Sequence, residues 1–328
     1  MEHRFNTRIF GVAVTAAAML GCGSETVGAE DCLQCSTSSQ GTPIVATDAG
    51  IRVGDAQALV QSGESAACTA WRTIRDRQTQ MATWGAGATP CDLGALPEAT
   101  RQASIEWVNF YRGLVGLRRV TEDRSDRVPA QACAVLLERN GQLTHTPPAT
   151  WACATLTGRD AASRSNLSGN PGFPMSPWYA VRGWVDEGRD LSNTLGHRRW
   201  LFSPELHTMS YGQTGSFACM TLGLGARDTR APAWVAWPPA GWVPMALMST
   251  IWSFSKSGVG ANGTQVQVYR DGVALAVTAA TRQAGLGDDT ISWEVPTPAA
   301  GSVYRVRVTL PGSRATEYEV RPTSCAVR

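Results

Sequence analysis

Lysine is almost absent from this chain, and no stripe of arginines takes its place. Lys256 is the only lysine among 29 basic residues, and the formal net charge of the 328-residue chain is +2. A nucleic-acid-binding surface needs positive charge clustered on one face or along one helix. The near balance of charge therefore removes nucleic acid from the partners that we expect.

The sequence also lacks the short motifs of common hydrolytic enzymes. It contains no HExxH helix, which would arrange two histidines and a glutamate around zinc, and no GxSxG turn, which would present a nucleophilic serine. The chain has only four histidines, and two of them, His197 and His207, stand in the stretch "NTLGHRRWLFSPELHTMSYG". A third, His145, lies upstream in "GQLTHTPP".

No apolar run is comfortably long enough to cross a bilayer, but one near the start has the length of a signal peptide. This run, "IFGVAVTAAAMLG", follows two arginines and ends at Cys22. The segment "MLGC" resembles the lipobox of bacterial lipoproteins, in which the cysteine is lipidated; plain secretion is the alternative. We interpret residues 1–21 as a lipoprotein signal peptide and residues 22–65, rich in small and polar residues, as a tether.

The lipobox resemblance predicts where the protein resides. Lipidated at Cys22, the protein would be exported and attached to the membrane through its N-terminal lipid. Gly23 after this cysteine resembles the outer-membrane sorting signal. We therefore expect a lipoprotein of the cell envelope, at the outer membrane or the cell surface.

The cysteine count agrees with export. Of nine cysteines, eight remain when Cys22 is assigned to lipid, and an even set in an exported protein predicts disulfides. A disulfide that closes a loop of about twenty residues stabilises by roughly 3 kcal/mol in the chain-entropy model. We expect three pairs: Cys133 with Cys153, Cys68 with Cys91, and Cys219 with Cys325.

The middle of the chain carries helix patterns. In "LPEATRQASIEWVNFYRGLVGL" apolar residues recur at helical spacing, with Pro97 near the start. A second helix is predicted over residues 129–143. A third begins at "SPWYAVRGWVDEG", where Ser176 is placed as N-cap and Pro177 as first-turn proline. A shorter helical piece precedes them in "TAWRTIRDRQTQMATW".

After the helices the pattern changes to strands. "TMSYGQTGSFACMTL" predicts two strands around a "GQTG" turn. From about residue 230, alternating segments such as "TQVQVYRDG", "TISWEV" and "SVYRVRVTL" predict a small antiparallel Ig-like β-sandwich. The sequence therefore predicts an α+β fold: a mixed domain with an N-terminal helical extension over residues 66–228, then a β-sandwich domain over residues 229–328.

Residues 100–223 resemble the CAP superfamily, which includes cysteine-rich secretory proteins, antigen five and plant pathogenesis-related proteins. Asn109 and Arg112 match the family's "N-xx-R" helix, and "LTH", "SNL", "GWVDE" and "LGHRRW" are similar, in this order, to further family segments. The "GHRRW" version looks like the bacterial secreted branch. The resemblance implies a CAP-type α-β-α sandwich in this part of the chain.

The resemblance also implies a central cleft with two histidines and two acids, where some members bind a divalent cation. By position these are His145, Glu187 and His197, with Ser165 in place of the first acid. We expect the two imidazoles within about 8 Å of each other and Glu187 in reach of one, because histidines sharing a zinc ion each stand about 2 Å from it. With Ser165 in the fourth place, His145 and His197 would form a weak, often empty site for zinc or another divalent cation, and no cofactor is required.

Three further residues of the stretch "NTLGHRRWLFSPELHTMSYG" also lead to expectations. Arg198 and Arg199 follow His197 directly, and we expect them to face solvent or to pair with Asp186, Glu187 or Asp190. His207 lies outside the family pattern and is predicted to be a surface-loop histidine.

Two functional hypotheses stay open at this point. The first is an exported, lipid-anchored binding or effector module that engages a lipid, glycan or protein ligand at the envelope, without enzymatic activity. The second is a divalent-metal-assisted hydrolase of envelope material, with Glu187 as candidate general base and the two histidines as metal ligands. The metal content of the purified protein distinguishes the two.

Overall fold

A computed structural model of the protein describes residues 60–76, 83–187, 194–258, 263–283 and 287–325, with only the backbone described for 278–283. The signal peptide, Cys22 and most of the tether lie outside these residues. Residues 46–328 form one compact unit. Within the described ranges, no helix is both long enough and apolar enough to cross a membrane.

Helices dominate the first part of the described chain. Their bounds are α1 Glu64–Asp76, α2 Glu98–Leu114, α3 Arg127–Asn140, α4 Leu156–Ser163, α5 Pro177–Asp186 and α6 Gly196–Leu201.

Residues at the ends of two of these helices explain where the helices begin and end. The hydroxyl of Ser176 accepts the backbone N–H of Tyr179 at 3.2 Å at the start of α5, with Pro177 in its first turn, so the predicted cap is confirmed. Helix α3 ends at Gly141, whose φ of 64° is the left-handed conformation that glycine adopts without steric cost. The prediction for α3 therefore ran a few residues too far.

Four strands form the first sheet, in the order β1–β3–β4–β2, with bounds β1 Thr121–Glu122, β2 Ser165–Gly169, β3 Leu206–Gln213 and β4 Phe217–Leu224. Strands β3 and β4 are antiparallel neighbours joined by a short turn, as predicted from the "GQTG" segment. Strand β2 pairs with the other side of β4 and forms an edge of the sheet. Helix α3 packs closely on this sheet: a Cβ on Gly212 would stand 2.2 Å from the carbonyl oxygen of Ala130.

The last part of the described chain forms two further sheets. One has the order β10–β11–β7–β5 and the other β6–β13–β12–β8–β9. Every neighbouring pair is antiparallel except β13 and β6, which are parallel. The bounds are β5 Val235–Trp237, β6 Gly241–Pro244, β7 Ile251–Lys256, β8 Gln265–Arg270, β9 Val273–Ala274, β10 Thr278–Gln283, β11 Asp289–Glu294, β12 Tyr304–Thr309 and β13 Thr316–Thr323. Helices together with several antiparallel sheets confirm the α+β prediction.

One hydrophobic core runs through the helical part and through the two sheets formed by β5–β13, here called the late sheets. Trp237 of β5 is fully buried, and its ring centroid lies 5.4 Å from that of Tyr111 on α2 and 5.5 Å from that of Phe202. Aromatic pairs at such distances add to the stabilisation from burial alone. The late sheets therefore pack against the part of the chain that carries the candidate cleft.

The six cysteines of the three predicted pairs all form disulfides, but all three pairings are wrong. The other two cysteines of the predicted set, Cys32 and Cys35, lie outside the described residues. The bonds join Cys68 with Cys325, Cys91 with Cys153 and Cys133 with Cys219. Two of the predicted pairs joined cysteines close in sequence, and the third joined the two predicted domains, whereas packing decides which cysteines meet. Helix α1 packs against β6, the neighbour of β13, which brings the first helix to the end of the described chain.

The pair Cys133–Cys219 shows the same effect inside the first sheet. Cys133 on α3 and Cys219 on β4 are fully buried in a small apolar cluster, because α3 packs across this strand. Three disulfides are typical of an extracellular or secreted protein, since reducing compartments do not preserve them.

Candidate functional site

The four cleft residues of the sequence analysis come from four different parts of the fold. His145 lies in the turn after α3, and Ser165 begins β2. Glu187 is the residue at the C-terminal end of α5, and His197 is the second residue of α6. All four line one cleft with a volume of about 620 Å³.

Glu187 is held in place by both its backbone and its side chain. Its φ of 53° is a left-handed conformation that costs a residue with a Cβ about 1 kcal/mol or more. The side chain is 1% exposed, and its Oε1 accepts the backbone N–H of Arg198 at 2.7 Å. Because that N–H is one of the first in α6, the carboxylate satisfies a group that the helix itself leaves without a partner.

The second oxygen of Glu187 faces His197. Its Oε2 lies 3.5 Å from Nδ1 of His197, whose side chain is 32% exposed. At this distance a protonated imidazole would form an ion pair with the carboxylate. The carboxylate of Glu187 therefore lies beside His197 while being almost entirely covered itself.

His145 completes the pair of imidazoles. The ring centroids of His145 and His197 are 6.3 Å apart with an interplanar angle of 37°, inside the limit expected from the sequence. Nδ1 of His145 lies 2.9 Å from the carbonyl oxygen of Ala162. Since a carbonyl only accepts, this nitrogen carries a proton, and in the neutral imidazole Nε2 is then an acceptor or ligand.

Ser165 offers less chemistry than its place in the cleft suggests. It is buried, and its hydroxyl donates to the carbonyl oxygen of Ala161 at 2.6 Å. A serine nucleophile needs a base within hydrogen-bond reach of its hydroxyl proton. Here the proton is directed to the end of α4, so the arrangement provides no activated serine.

The donor set does not fit a resident metal ion. Over the described ranges of the chain, no group of three or more His, Cys, Asp or Glu side chains is placed to hold one. Open zinc sites use three protein ligands. The cleft supplies two imidazole nitrogens, while the carboxylate of Glu187 is directed to the N–H of Arg198 and to Nδ1 of His197. We therefore derive no chemical step through a metal.

Arg198 and Arg199 are both buried, so neither faces solvent. For Arg198 the alternative expectation holds, because it interacts electrostatically with Glu187 and Asp186. Arg198 donates to the carbonyl oxygen of Val185 at 2.5 Å and to the hydroxyl of Ser253 on β7 at 3.2 Å. Burial lowers the pKa of Arg198 to about 10, and the carboxylates of Glu187 and Asp186 oppose this effect. The late sheets cover this side of α6, which the sequence pattern around His197 does not reveal.

Arg199 shares this environment. Its guanidinium donates to the carbonyl oxygen of Asp288 at 3.2 Å, just before β11. Burial lowers the pKa of Arg199, and Asp289 opposes the shift. Both arginines thus connect α6 to the late sheets rather than lining the cleft.

His207 is a strand residue, so its assignment to a surface loop is also wrong. It lies on β3, and its Nε2 is 2.8 Å from the carbonyl oxygen of Ala226. It does not line the cleft. His207 is therefore a natural control for the two cleft histidines.

Asn109 and Arg112 on α2 each hold a separate backbone segment, and the segment held by Arg112 belongs to the end of α6. Asn109 donates from Nδ2 to the carbonyl oxygen of Val120 at 3.0 Å and accepts the Val120 N–H at 2.8 Å. Arg112 is buried and donates to the carbonyl oxygen of Leu201, the last residue of α6, at 2.7 Å and to that of Ser203, just after α6, at 2.9 Å. Burial lowers the pKa of Arg112 to about 9.

Sequence reasoning missed Asn166 as a site residue. This fully buried asparagine on β2 lines the cleft, and its Nδ2 donates to the carbonyl oxygen of His197 at 3.0 Å. Its Oδ1 is buried and has no hydrogen-bond partner in the described part of the chain. The sequence feature that could have pointed to Asn166 is its place inside a strand, where asparagine is uncommon.

A second depression, here called the groove, adjoins the cleft. It has a volume of about 440 Å³ and shares Glu187 and His197 with the cleft. Its other side chains come mainly from α5 and β2. They include Leu143, Leu167, Tyr179, Arg182, Trp184 and Asp186. The Glu187–His197 pair thus lies where the two depressions meet.

No protein-family model matches the chain, and no curated protein matches it either. The candidate site is therefore defined by its geometry and by the chemistry of its side chains.

Proposed function

We propose that the protein is an exported binding module that engages an envelope ligand through the cleft of His145, Ser165, Glu187 and His197. The observation that carries the proposal is the assembly of two imidazoles and one carboxylate, drawn from three separate segments, in one cleft of about 620 Å³. Convergent polar groups in a concave site are the usual mark of a ligand-binding pocket.

Binding is favoured over hydrolysis by what the polar groups already contact. A general base must reach the proton that it removes, directly or through one water molecule. The Glu187 side chain is 1% exposed, and its Oε1 is 2.7 Å from the Arg198 nitrogen. The Ser165 hydroxyl donates to the main chain. The imidazole nitrogens that remain suit hydrogen bonding to a ligand.

The proposal includes membership of the CAP superfamily. It is supported by the positions of the motif residues: Arg112 binds the backbone at the end of the helix that carries His197, and the histidines of "LTH" and "LGHRRW" meet across one cleft. It also includes lipidation at Cys22 and residence at the outer membrane or cell surface, supported by the "MLGC" segment and by the disulfides.

Histidine ring signals in an NMR spectrum test the proposal, because the chain contains only four histidines. The protein would be titrated separately with phospholipid bicelles, enzymatically solubilised peptidoglycan and detergent-extracted envelope proteins. We expect one of these probes to shift the ring signals of His145 and His197 while leaving that of His207 unchanged. Binding that shifts neither cleft histidine would contradict the proposal, and so would the absence of binding to all three probes.

A further inference from the structure

The groove beside the cleft contains a glycine that packing does not explain. Gly183 lies inside α5, where glycine is less favourable than alanine because it loses more conformational freedom on folding. A Cβ added at Gly183 would meet no atom within 4 Å, so neither backbone geometry nor a close neighbour requires glycine. It lines the groove and is exposed. A missing side chain here keeps the backbone of α5 accessible to a ligand.

An aromatic side chain and an ion pair lie on the same turns of α5. Tyr179 is 44% exposed at the groove, and next to it Trp178 is half-buried against Trp107, with ring centroids 4.5 Å apart. Arg182 donates from Nε to Oδ2 of Asp186 at 3.2 Å. The groove therefore combines a supported aromatic surface with planar hydrogen-bonding groups whose charges cancel.

We propose that the groove is a saccharide subsite, so that the envelope ligand of the cleft is a glycan chain extending across Glu187 and His197; this inference rests on the proposed function. A pyranose ring presents an apolar C–H face, which packs on an aromatic ring, and hydroxyls around its edge. Guanidinium and carboxylate groups donate to and accept from such hydroxyls. The glycine permits the ring to approach the helix closely.

Other ligand classes fit the groove less well. An added peptide strand needs a free sheet edge, but β2 is covered by α5, and the Leu167 carbonyl accepts from the Trp184 indole at 2.9 Å. An acyl chain needs an apolar cavity, whereas the groove carries the Arg182–Asp186 pair. A phosphate group would require net positive charge, which this pair does not provide.

Titration calorimetry with a water-soluble tetramer of β-1,4-linked N-acetylglucosamine tests the inference. We expect the full-length protein to bind it, and Gly183→Ala and Tyr179→Ala each to weaken binding at least about tenfold. Gly183→Ala should leave the melting temperature unchanged or raise it, because alanine favours the helix. If Gly183→Ala binds the tetrasaccharide more weakly but keeps its melting temperature, the glycine contacts the ligand and is not needed for stability. The exposed Val273 on β9 supplies the control variant Val273→Ala.

Two results would overturn the inference. One is the absence of tetrasaccharide binding by the wild-type protein, and the other is unchanged binding by Gly183→Ala and Tyr179→Ala. If His145→Ala/His197→Ala abolishes binding while the groove variants retain it, the cleft proposal stands and the groove is rejected. If only the groove variants lose binding, the groove binds saccharide by itself, and both the cleft proposal and the extension of the glycan across Glu187 and His197 are rejected.

Discussion

Oε1 of Glu187 accepts the backbone N–H of Arg198 at 2.7 Å, and this bond joins the end of α5 to the start of α6. The same carboxylate lies beside Nδ1 of His197. Glu187 is therefore both a structural link and a site residue. Substitutions that keep or remove its acceptor oxygen can separate the two roles.

We expect Glu187→Ala to lower the free energy of unfolding by about 1–3 kcal/mol, because it leaves a buried N–H without an acceptor. Glu187→Gln retains an acceptor oxygen and should cost less than Glu187→Ala. Urea unfolding of the wild type and of both variants measures the difference in free energy of unfolding. Equal losses in the two variants would show that the charge, and not the hydrogen bond to Arg198, provides the stabilisation.

The three disulfides should open in an order set by their burial. Cys91 is exposed and Cys153 is half-buried, whereas Cys133 and Cys219 are fully covered. Thiol attack needs access to a sulfur atom. Brief treatment of the native protein with dithiothreitol, followed by alkylation and peptide mapping, should label Cys91 and Cys153 first. Labelling of Cys133 at an equal rate would contradict the described packing.

Local features of the fold could be predicted from the sequence, because they depend on neighbouring residues. The Ser176 cap and the β3–β4 turn are of this kind. The disulfide pairing and the burial of Arg198 and Arg199 depend on segments far away in the chain. Cys68 bonds to a cysteine 257 positions away, and Arg198 contacts Ser253. Helical or strand periodicity contains no information on such contacts.

The candidate site illustrates the same division. The resemblance indicated which histidines and which carboxylate to examine, and the structure places them together. It did not single out Asn166 as a site residue, and it did not indicate the groove. The Asn166 contact depends on β2 meeting α6, and the groove depends on β2 packing against α5.

Acid should weaken the ion pair that holds Arg164 at the cleft. Arg164 donates to both carboxylate oxygens of Asp126, at 2.5 and 2.8 Å, and this holds the pKa of Asp126 below its ordinary value. A carboxyl whose pKa is lower in the folded than in the unfolded state stabilises the protein at pH values above its unfolded-state pKa, which is near 4. This contribution is lost as the pH falls through the folded-state pKa.

We therefore expect Asp126→Asn to destabilise the protein by about 1 kcal/mol at neutral pH, a value reduced by the partial exposure of Arg164. The difference from wild type should shrink as pH falls below about 4. Unfolding measured across this pH range checks the prediction. Asp160→Asn, which removes the more exposed partner of Arg164, is the control and should cost at most about 0.5 kcal/mol. A pH-independent loss in Asp126→Asn would contradict the electrostatic explanation.

Metal removal should leave the protein intact. Because the cleft supplies two imidazoles and no third directed ligand within the described ranges, we expect zinc in the purified protein at well below one ion per chain. Dialysis against EDTA should not change the melting temperature. Stoichiometric zinc together with a lowered melting temperature after EDTA would reject the binding-module account in favour of metal chemistry.

The central claim is that the cleft binds envelope material, and co-sedimentation with isolated envelopes tests it most directly. All proteins would carry Cys22→Ser, so that an N-terminal lipid does not contribute. We predict that His145→Ala/His197→Ala reduces the affinity for envelopes at least about tenfold, while His207→Ala binds like the parent protein. Equal sedimentation of the double variant and the His207→Ala control would contradict the claim.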